Sequence, residues 1–535
     1  MIRGFGRRAC GNGRVYYDLK GHFTRMKIWL LLPPTIALAL AASAPASQPD
    51  VERKGRDLLE RALADLGGRA ALERIRYWHT VANGRENLSA DLQGLRPGRA
   101  TWRVHDETVG IDADTLTTSW ERKSARNDHS FRWRRIVMSA EGTSFYDWVT
   151  HQRGMGSTPA PEPRRRAMVR RVPHLLLLEA VLAPKVSWKQ MTRMEEGASD
   201  EVVVTTRDGS ELTLSIAQAS PRVVRAVEFR GDLPGAGTVP VVWHWRHWRP
   251  HAELGAIPSG QTITIDGVPF QEVAFATFGG SSRRPSVLGM PAPPAQDHVS
   301  TFTATSPTSL PATGEVRPGV HVFDVGGFVV MAVEFRDFLV AVEAPAVHPG
   351  FEGIPARPGT TQVSADVLAA IGKAVPSKPI RFVVLSHHHS DHLGGAGLFA
   401  RIGATMLVAP GDRAAVARAV AATSDRPARI ETVGRRRTIS DGSRSIEILN
   451  TGPNPHTAEN LVVWLPAERV VFQGDLFYYA IGQPFPPSGR AAINRFFAEW
   501  LQKQALEPDA VYGVHSAGAA GPALLELALR GSGGR

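Results

Sequence analysis

The stretch that decides the fold of this 535-residue chain is Leu385-Ser386-His387-His388-His389-Ser390-Asp391-His392-Leu393-Gly394-Gly395. It ends an apolar run, Phe382 to Leu385, which is typical of a buried strand. The two glycines indicate a tight turn into a helix that begins near Ala396. Four histidines and one aspartate therefore fall in a loop at the carboxyl end of a strand, where open α/β sheets place their ligand sites.

The spacing of these side chains predicts a metal site. His387 and His389 are two residues apart and point the same way in extended backbone, so both can bind one ion. Asp391 and His392 follow after the chain turns and can reach a second position. Imidazole nitrogen with carboxylate oxygen and no thiolate favours zinc, and iron or manganese accept the same donors. His388 points away from its neighbours in such a backbone, and we interpret it either as a residue that supports a ligand from outside or as a bystander.

The His-x-His-x-Asp-His motif resembles that of the metallo-β-lactamase superfamily, and further strand-then-ligand units follow it in order. Three apolar runs each lead into one ligand-type residue: 446–449 into His456, 469–473 into Asp475, and 510–514 into His515. The resemblance implies an α/β fold, the αββα metallo-β-lactamase sandwich. It also implies two metal positions, the first held by His387, His389 and His456, the second by Asp391, His392 and His515, with Asp475 bridging both.

What the resemblance implies about function is a metal-dependent hydrolase. Two zinc ions would activate a water against an ester, lactam, thioester or related bond of a small-molecule substrate. Asp391 would also orient the attacking water. Tyr478 and Tyr479 follow the bridging aspartate closely, and we predict that they form a pocket wall in which one hydroxyl donates to the oxyanion. The alternative for both tyrosines is a pair of packed aromatic side chains.

Two other functions stay open at this point. A mononuclear iron persulfide dioxygenase has a similar first motif but uses fewer of the ligands, so one iron per chain would favour it. The chain can also be a binding protein for an apolar ligand, with a degenerate metal domain. The superfamily is broad, and its fold does not choose a substrate. One position departs from the family pattern: Glu343-Ala344-Pro345 stands where Asp-Thr-Gly is common, and Glu343 has no assigned role.

Length and charge set further limits. At 535 residues the chain exceeds what one hydrophobic core supports, so two or more domains are expected. The formal net charge is +11, but the basic residues are dispersed and no Lys/Arg run with interleaved aromatics predicts nucleic-acid binding. The densest cluster, Arg164 to Arg166 with Arg170 and Arg171, favours a solvated loop or proximity to a membrane surface. The sequence indicates no oligomeric state.

The first 46 residues are expected to be an N-terminal extension and a signal peptide. Met26-Lys27 is a positively charged start, residues 28–42 are apolar, and small-x-small cleavage sites follow, so the protein is predicted to be periplasmic or secreted. An uncleaved membrane anchor is the alternative. The single cysteine, Cys10, lies in this segment, so the mature chain would supply no thiolate ligand.

Between the signal peptide and the metal motif, we predict an α+β domain over residues 47–289 with a large antiparallel sheet. A helix over 51–66 ends at Gly67-Gly68, a hairpin joins 202–206 to 212–216, and a helix covers 174–182. The helix, the Gly-Gly stop and the number of strands resemble periplasmic lipoprotein-carrier domains. Residues 290–310 are rich in Pro, Ser and Thr and are predicted to be a linker, and 311–535 the metallo-β-lactamase-fold domain.

Overall fold

A computed structural model describes residues 47–87, 102–125, 131–147, 152–156, 162–233, 237–291, 308–346, 362–482, 485–487, 490–516 and 518–530. The predicted signal peptide, with Cys10, lies outside the described residues, as does most of the predicted linker. The domain boundaries and the export of the chain therefore stay predictions. Within the described part of the chain, no helix has the length and apolarity needed to cross a membrane.

The N-terminal half forms one large sheet, as predicted. Its strands, with two short ones that pair apart from it, are β1 Tyr77–Asn87, β2 Trp102–Asp112, β3 Thr117–Ala125, β4 Phe131–Met138, β5 Thr143–Asp147, β6 Gln152–Gly156, β7 Lys185–Met194, β8 Gly197–Thr205, β9 Glu211–Ala217, β10 Val224–Leu233, β11 Gly237–Arg246, β12 Arg249–His251, β13 Gly255–Ile257, β14 Gly260–Ile265 and β15 Val268–Ser281. Thirteen of them pair antiparallel in the order β6-β5-β4-β3-β2-β1-β15-β14-β11-β10-β9-β8-β7. The first and last strands of the region, β1 and β15, pair with each other near the middle of the sheet.

The described residues of this region form four helices: α1 Gln48–Asp65, α2 Arg69–Glu73, α3 Glu162–Val169 and α4 Pro173–Val181. Helix α1 packs its apolar face on the sheet, and Leu59 and Leu63 are buried in one core with Trp243. Burial of one such large apolar side chain stabilises the fold by roughly 1.5–3 kcal/mol. At Gly55 the helix crosses β7 so closely that a Cβ atom would lie 3.0 Å from the backbone nitrogen of Trp188.

The structure differs from the sequence expectation around the basic cluster. Helix α3, which no hydrophobic pattern predicts, contains Arg165 and Arg166. Arg170 and Arg171, directly after it, are buried and ion-paired, Arg170 with Glu179 and Arg171 with Glu107. These two arginines therefore lie inside the fold and are not part of a solvated loop.

The C-terminal half contains two further sheets. The first has seven strands, β16 Gly314–Arg317, β17 Val320–Val325, β18 Phe328–Glu334, β19 Leu339–Val342, β20 Ile380–Val384, β21 Thr405–Val408 and β22 Arg429–Thr432. The second has five, β23 Arg436–Ser440, β24 Ser445–Asn450, β25 Leu461–Leu465, β26 Val470–Gln473 and β27 Ala510–Gly513. The helices are α5 Gln362–Ala374, α6 Ser390–Leu393, α7 Ala396–Arg401, α8 Arg413–Thr423, α9 Ala491–Lys503 and α10 Pro522–Arg530.

These elements pack in four layers, because alternate side chains along each strand face opposite sides of its sheet. On β18, Met331 lies in the core between the two sheets, whereas Val330 lies in the core between the seven-stranded sheet and helices α5, α7 and α8. On β25, Val463 likewise faces the other sheet, and Val462 faces helices α9 and α10. The order helix, sheet, sheet, helix is the predicted αββα sandwich, and the predicted fold class is confirmed.

The same topology brings the motif loops together. The His-x-His-x-Asp-His segment follows β20, Asp475 follows β26, and His515 follows β27. Strands β26 and β27 are parallel neighbours, so their carboxyl ends lie at one edge of their sheet. His456 comes from the turn between β24 and β25. Candidate ligands far apart in the sequence are therefore delivered to one edge of the sandwich.

Candidate metal centre

Three imidazole nitrogens meet at the first predicted metal position. The Nε2 atom of His387 lies 2.9 Å from Nδ1 of His389, and Nε2 of His456 lies 3.1 Å and 3.0 Å from these two atoms. Hydrogen bonds cannot satisfy this triangle, because a proton on one nitrogen can point at only one of the other two. Two tetrahedral nitrogen ligands of one zinc ion lie roughly 3.3 Å apart, given Zn–N bonds of about 2.0–2.1 Å. The three imidazoles therefore suit a shared cation.

A second group forms beside the first. Nε2 of His515 lies 3.2 Å from Oδ2 of Asp391, and Nε2 of His392 lies 3.9 Å from the same oxygen. Asp475 stands between the two groups: its Oδ1 is 3.2 Å from His392 Nε2, and its Oδ2 is 3.4 Å from His456 Nε2. All seven side chains predicted as ligands thus converge, and one carboxylate presents an oxygen to each position. Their role as ligands stays a prediction.

The electrostatics of the two groups differ. Burial lowers the pKa of His387 and of His389 well below the usual range, and burial lowers the pKa of His456 to about 4. These imidazoles are neutral at pH 7, the form that a metal ligand must have. In the second group, burial opposes protonation, but Asp475 and Asp391 attract positive charge and raise the pKa of His392 well above its usual value. The second position therefore attracts positive charge, from protons or from a divalent ion.

Neighbouring polar groups orient the candidate ligands. The Oγ atom of Ser386 lies 2.9 Å from Nδ1 of His387, and Nδ2 of Asn460 lies 3.4 Å from the same nitrogen. Asn454 accepts hydrogen bonds from the backbone nitrogens of His456 and Thr457 at 2.9 Å and 2.8 Å, which shapes the turn carrying His456. Such outer contacts fix ring orientation and tautomer in metal sites.

Glu343, which has no role in the sequence analysis, lies against this group. It is completely buried, and its Oε1 atom is 3.4 Å from Nδ1 of His392, while its Oε2 is 3.4 Å from the backbone nitrogen of Ser386. Its backbone has φ +79°, a conformation unusual for a residue with a side chain. The sequence did offer one signal for Glu343, since a carboxylate stands where the family pattern has Asp. Its contact with His392 became evident only in the folded structure.

The structure separates the two predicted catalytic tyrosines. The hydroxyl of Tyr478 donates to Oδ2 of Asp475 at 2.9 Å, and the guanidinium carbon of Arg490 lies 3.6 Å from the centre of its ring. The hydroxyl of Tyr479 lies 2.5 Å from the carbonyl oxygen of Val511 and 3.0 Å from that of Gly518. Because Tyr479 is buried and its single hydroxyl proton is used by the backbone, it is not brought into the cluster. It fits the packed-aromatic alternative.

Two other histidines lie apart from the cluster. Nδ1 of His388 is 3.3 Å from Oδ1 of the buried Asp412, so its ring faces away from the metal positions. His321 pairs with Glu334 at 2.7 Å, and Nζ of Lys378 lies 2.9 Å from the second oxygen of that carboxylate. A lysine thus already supplies the positive charge at Glu334.

The open side of the centre is at the second position. His515 is the most exposed of the seven candidate ligands, with 29 % of its side chain accessible. The ring of Phe328 lies 5.6 Å from its ring, centre to centre. The hydroxyl of Tyr478 contacts Asp475, and the guanidinium of Arg490 packs on the Tyr478 ring. Among the described residues, an apolar ring, a hydroxyl and a guanidinium therefore lie close to the candidate ligands.

Residues 358–515 match a family model described as the metallo-beta-lactamase superfamily. Among the similar solved structures is the metallo-β-lactamase FIM-1 from Pseudomonas aeruginosa in its mono-zinc form, 20% identical, covering 42% of this chain and 95% of that chain with a TM-score of 0.29. A metallo-β-lactamase from Pontibacter korlensis is 20% identical over 39% of this chain and 91% of its own, with a TM-score of 0.28. One from Hirschia baltica is 18% identical over 42% and 97%, with a TM-score of 0.29. The lipoprotein-carrier resemblance of the N-terminal region stays a prediction.

Proposed function

Since the C-terminal part of this chain belongs to the metallo-β-lactamase superfamily, we propose that the protein is an exported hydrolase. It would use two zinc ions to activate water against an ester, lactam, thioester or related bond of a small molecule. The observation that carries the proposal is the position of Asp475, whose Oδ1 and Oδ2 atoms face the two groups of imidazoles separately. A site for one ion has no need of this arrangement.

When bound, two divalent ions lower the pKa of a shared water toward about 7 and polarise the bond to be cleaved. The residues of this chain hold and orient the reactants. His387, His389 and His456 would hold one ion as neutral ligands, and Asp391, His392 and His515 the other. A carboxylate oxygen of Asp391 would also accept a hydrogen bond from the attacking water and fix its direction.

Tyr478 is proposed to act on the substrate side. Burial, and then the negative charge of Asp475, raise the pKa of Tyr478 well above its usual value, so its hydroxyl keeps its proton at neutral pH. In the present arrangement that proton is donated to Asp475 Oδ2. A rotation of the hydroxyl would let it donate to the oxyanion that develops on the substrate, which supports the role predicted from sequence.

The test is metal content and turnover of the purified protein. We expect two zinc ions per chain by elemental analysis and hydrolysis of at least one member of an ester, lactam, thioester and phosphodiester panel. Asp475→Asn keeps the shape of the side chain but removes its charge, and should reduce both zinc content and turnover. Full activity in that variant would contradict the two-ion proposal. One iron per chain together with persulfide oxidation would replace it by the dioxygenase alternative.

A further inference from the structure

One face of the N-terminal sheet carries a network of buried charged side chains. Across the strand register, Glu86 of β1 lies opposite Arg103 of β2. Glu107 of β2 lies opposite Arg122 of β3. Directly paired residues of neighbouring strands point to the same side of a sheet, so these four side chains share a face. Arg171, in the turn between α3 and α4, reaches the same group through its ion pair with Glu107 at 3.1 Å.

Every carboxylate oxygen of the network already accepts a hydrogen bond. Glu86 Oε1 accepts from Nε of Arg103 at 2.7 Å, and its Oε2 accepts from Arg122. Glu107 Oε1 accepts from Nη2 of Arg171 at 3.1 Å. Glu107 Oε2 accepts from Nη2 of Arg122 at 2.8 Å and from Nε1 of Trp120 at 2.6 Å. The carboxylates therefore have little capacity for further donors.

Hydrogen bonding also determines the tautomer of His105. Oε1 of Gln271 accepts from Arg171 at 3.4 Å, so Nε2 of this amide faces Glu107 and His105. The amide nitrogen lies 3.2 Å from Nε2 of His105 and can only donate to it. The hydrogen of the neutral imidazole is therefore on Nδ1.

Three buried N–H groups of this network have no partner among the described residues. They are Nδ1 of His105, Nε of Arg122 and Nη1 of Arg171. The three residues are 4%, 6% and 7% exposed, so bulk water does not reach these atoms freely. Buried donors without acceptors are rare in folded proteins, and each calls for an ordered water or a bound ion. In this network, N–H donors outnumber the available acceptors, because the carboxylate oxygens already accept hydrogen bonds.

The charges of the network also favour an anion, as the unpaired N–H groups do. Three guanidinium groups, of Arg103, Arg122 and Arg171, face two carboxylates. Burial, and then the nearby charge of Arg122, lower the pKa of His105 to about 4, so it is neutral at pH 7. Among these five charged side chains, positive groups therefore outnumber carboxylates by one.

We propose that this network is a binding site for an oxyanion, a carboxylate or phosphate group accepting hydrogen bonds from Arg122, Arg171 and His105. Guanidinium groups present paired N–H donors in the planar arrangement that both anions accept, and charge-assisted bonds of this kind are strong. The same face of β2 continues into the apolar core at Val109 and Ile111. A free anion and a carboxylate on an apolar chain share this chemistry, and the experiment separates them.

The test is calorimetric titration of the full chain with sodium phosphate, sodium acetate and sodium dodecanoate at constant ionic strength, below the micelle concentration. Saturable binding of at least one anion is expected. Arg171→Gln should weaken that binding roughly ten- to a hundredfold, the loss expected for hydrogen bonds to a charged group. Arg171→Lys keeps the charge without the paired donors, and its affinity for the anion should lie between those of the wild-type chain and Arg171→Gln. Binding of phosphate alone would identify a free anion, and binding of dodecanoate alone an apolar carboxylate.

Arg76→Gln is the matched control. Arg76 also pairs with a carboxylate in this region, Asp112, but its side chain is 45% exposed, and its loss should leave anion binding unchanged. If Arg171→Gln fails to fold by circular dichroism, His105→Phe removes one donor without breaking an ion pair and should weaken binding several-fold. Absence of saturable binding by all three anions, or equal affinity in the wild-type chain and the folded variant, would overturn the proposal.

Discussion

The metal centre and the oxyanion network are both groups of buried ionisable side chains, but they differ in the partner that each one lacks. At the metal centre, nitrogen lone pairs of His387, His389 and His456 face one another within 3.1 Å. In the N-terminal network, N–H groups of His105, Arg122 and Arg171 have no acceptor among the residues that the structure describes, and the carboxylate oxygens of Glu86 and Glu107 already accept other hydrogen bonds. An excess of lone pairs predicts a cation, and an excess of N–H groups predicts an anion. The inventory of hydrogen bonds shows this, whereas net charge of the whole chain does not.

The two sites also differ in how the chain builds them. The metal centre comes from loops at strand ends, so most of its side chains sit in short recognisable motifs. The network comes from strand interiors, where Glu86 and Arg103 look like ordinary alternating polar residues. The following changes test this contrast, beginning with the largest expected effect.

His389→Ala should have the largest effect, because it removes one corner of the nitrogen triangle. We expect loss of at least one metal ion per chain and a fall in turnover of roughly a thousandfold or more, as is common when a catalytic ion is lost. Metal analysis and kcat/KM on the best panel substrate measure it. His388→Ala is the control one residue away, since His388 faces Asp412, and it should retain most of both. Equal losses in the two variants would contradict the assignment.

Glu107→Gln tests the network as a structural unit. It leaves the guanidinium groups of Arg122 and Arg171 without their shared carboxylate, and breaking a buried ion pair in this way costs about 3–5 kcal/mol. Urea unfolding followed by tryptophan fluorescence reports on this domain, because nine of the twelve tryptophans lie between residues 78 and 248. Glu272→Gln breaks an exposed pair with Arg85 in the same sheet and should cost under about 1 kcal/mol. A similar cost in both variants would mean that burial of the network is unimportant.

Acid should destabilise the N-terminal domain through His174. Burial lowers the pKa of His174 from 6.5 to about 4, so the unfolded chain binds a proton in this range that the folded chain rejects. The contribution of His174 to the free energy of unfolding is complete above pH 6.5. It decreases by roughly 3 kcal/mol as the pH drops toward 4. His174→Gln, which does not titrate, should reduce but not remove the dependence of the unfolding free energy on pH between these values, because the pKa of His105 is also lowered to about 4. An unchanged slope would show that His174 is not the responsible group.

The smallest expected effects separate the two tyrosines. Tyr478→Phe removes the hydrogen bond to Asp475 and should lower kcat/KM by roughly tenfold, with little change in stability. Tyr479→Phe removes a bond to the backbone and should cost about 1 kcal/mol of stability, with kcat/KM within about twofold of wild type. Thermal unfolding and steady-state kinetics distinguish these outcomes. The reverse pattern would return Tyr479 to the catalytic role first predicted for it.

Several features could be predicted from the sequence because they depend on local order. A two-residue period of apolar side chains predicts the strands. The ligand-type residues after β20, β26 and β27 indicate on which loops a metal site can form. The αββα sandwich and the superfamily of the C-terminal part are confirmed. The predicted hairpin forms between β8 and β9. Helix α3 was missed because its sequence, rich in arginine, has no apolar face.

What the amino-acid sequence determined by itself is the fold class and the residues gathered at the metal centre, because strand period and ligand spacing are local properties. The tertiary structure alone decided which buried groups face one another. The contact of Glu343 with His392 joins residues 49 positions apart, and Arg171 meets Gln271 across 100. Hydrogen bonds depend on distance and direction between side chains, which no spacing within one strand or loop specifies. For that reason the lone pairs of the metal centre were predictable, and the N–H groups of the oxyanion network were not.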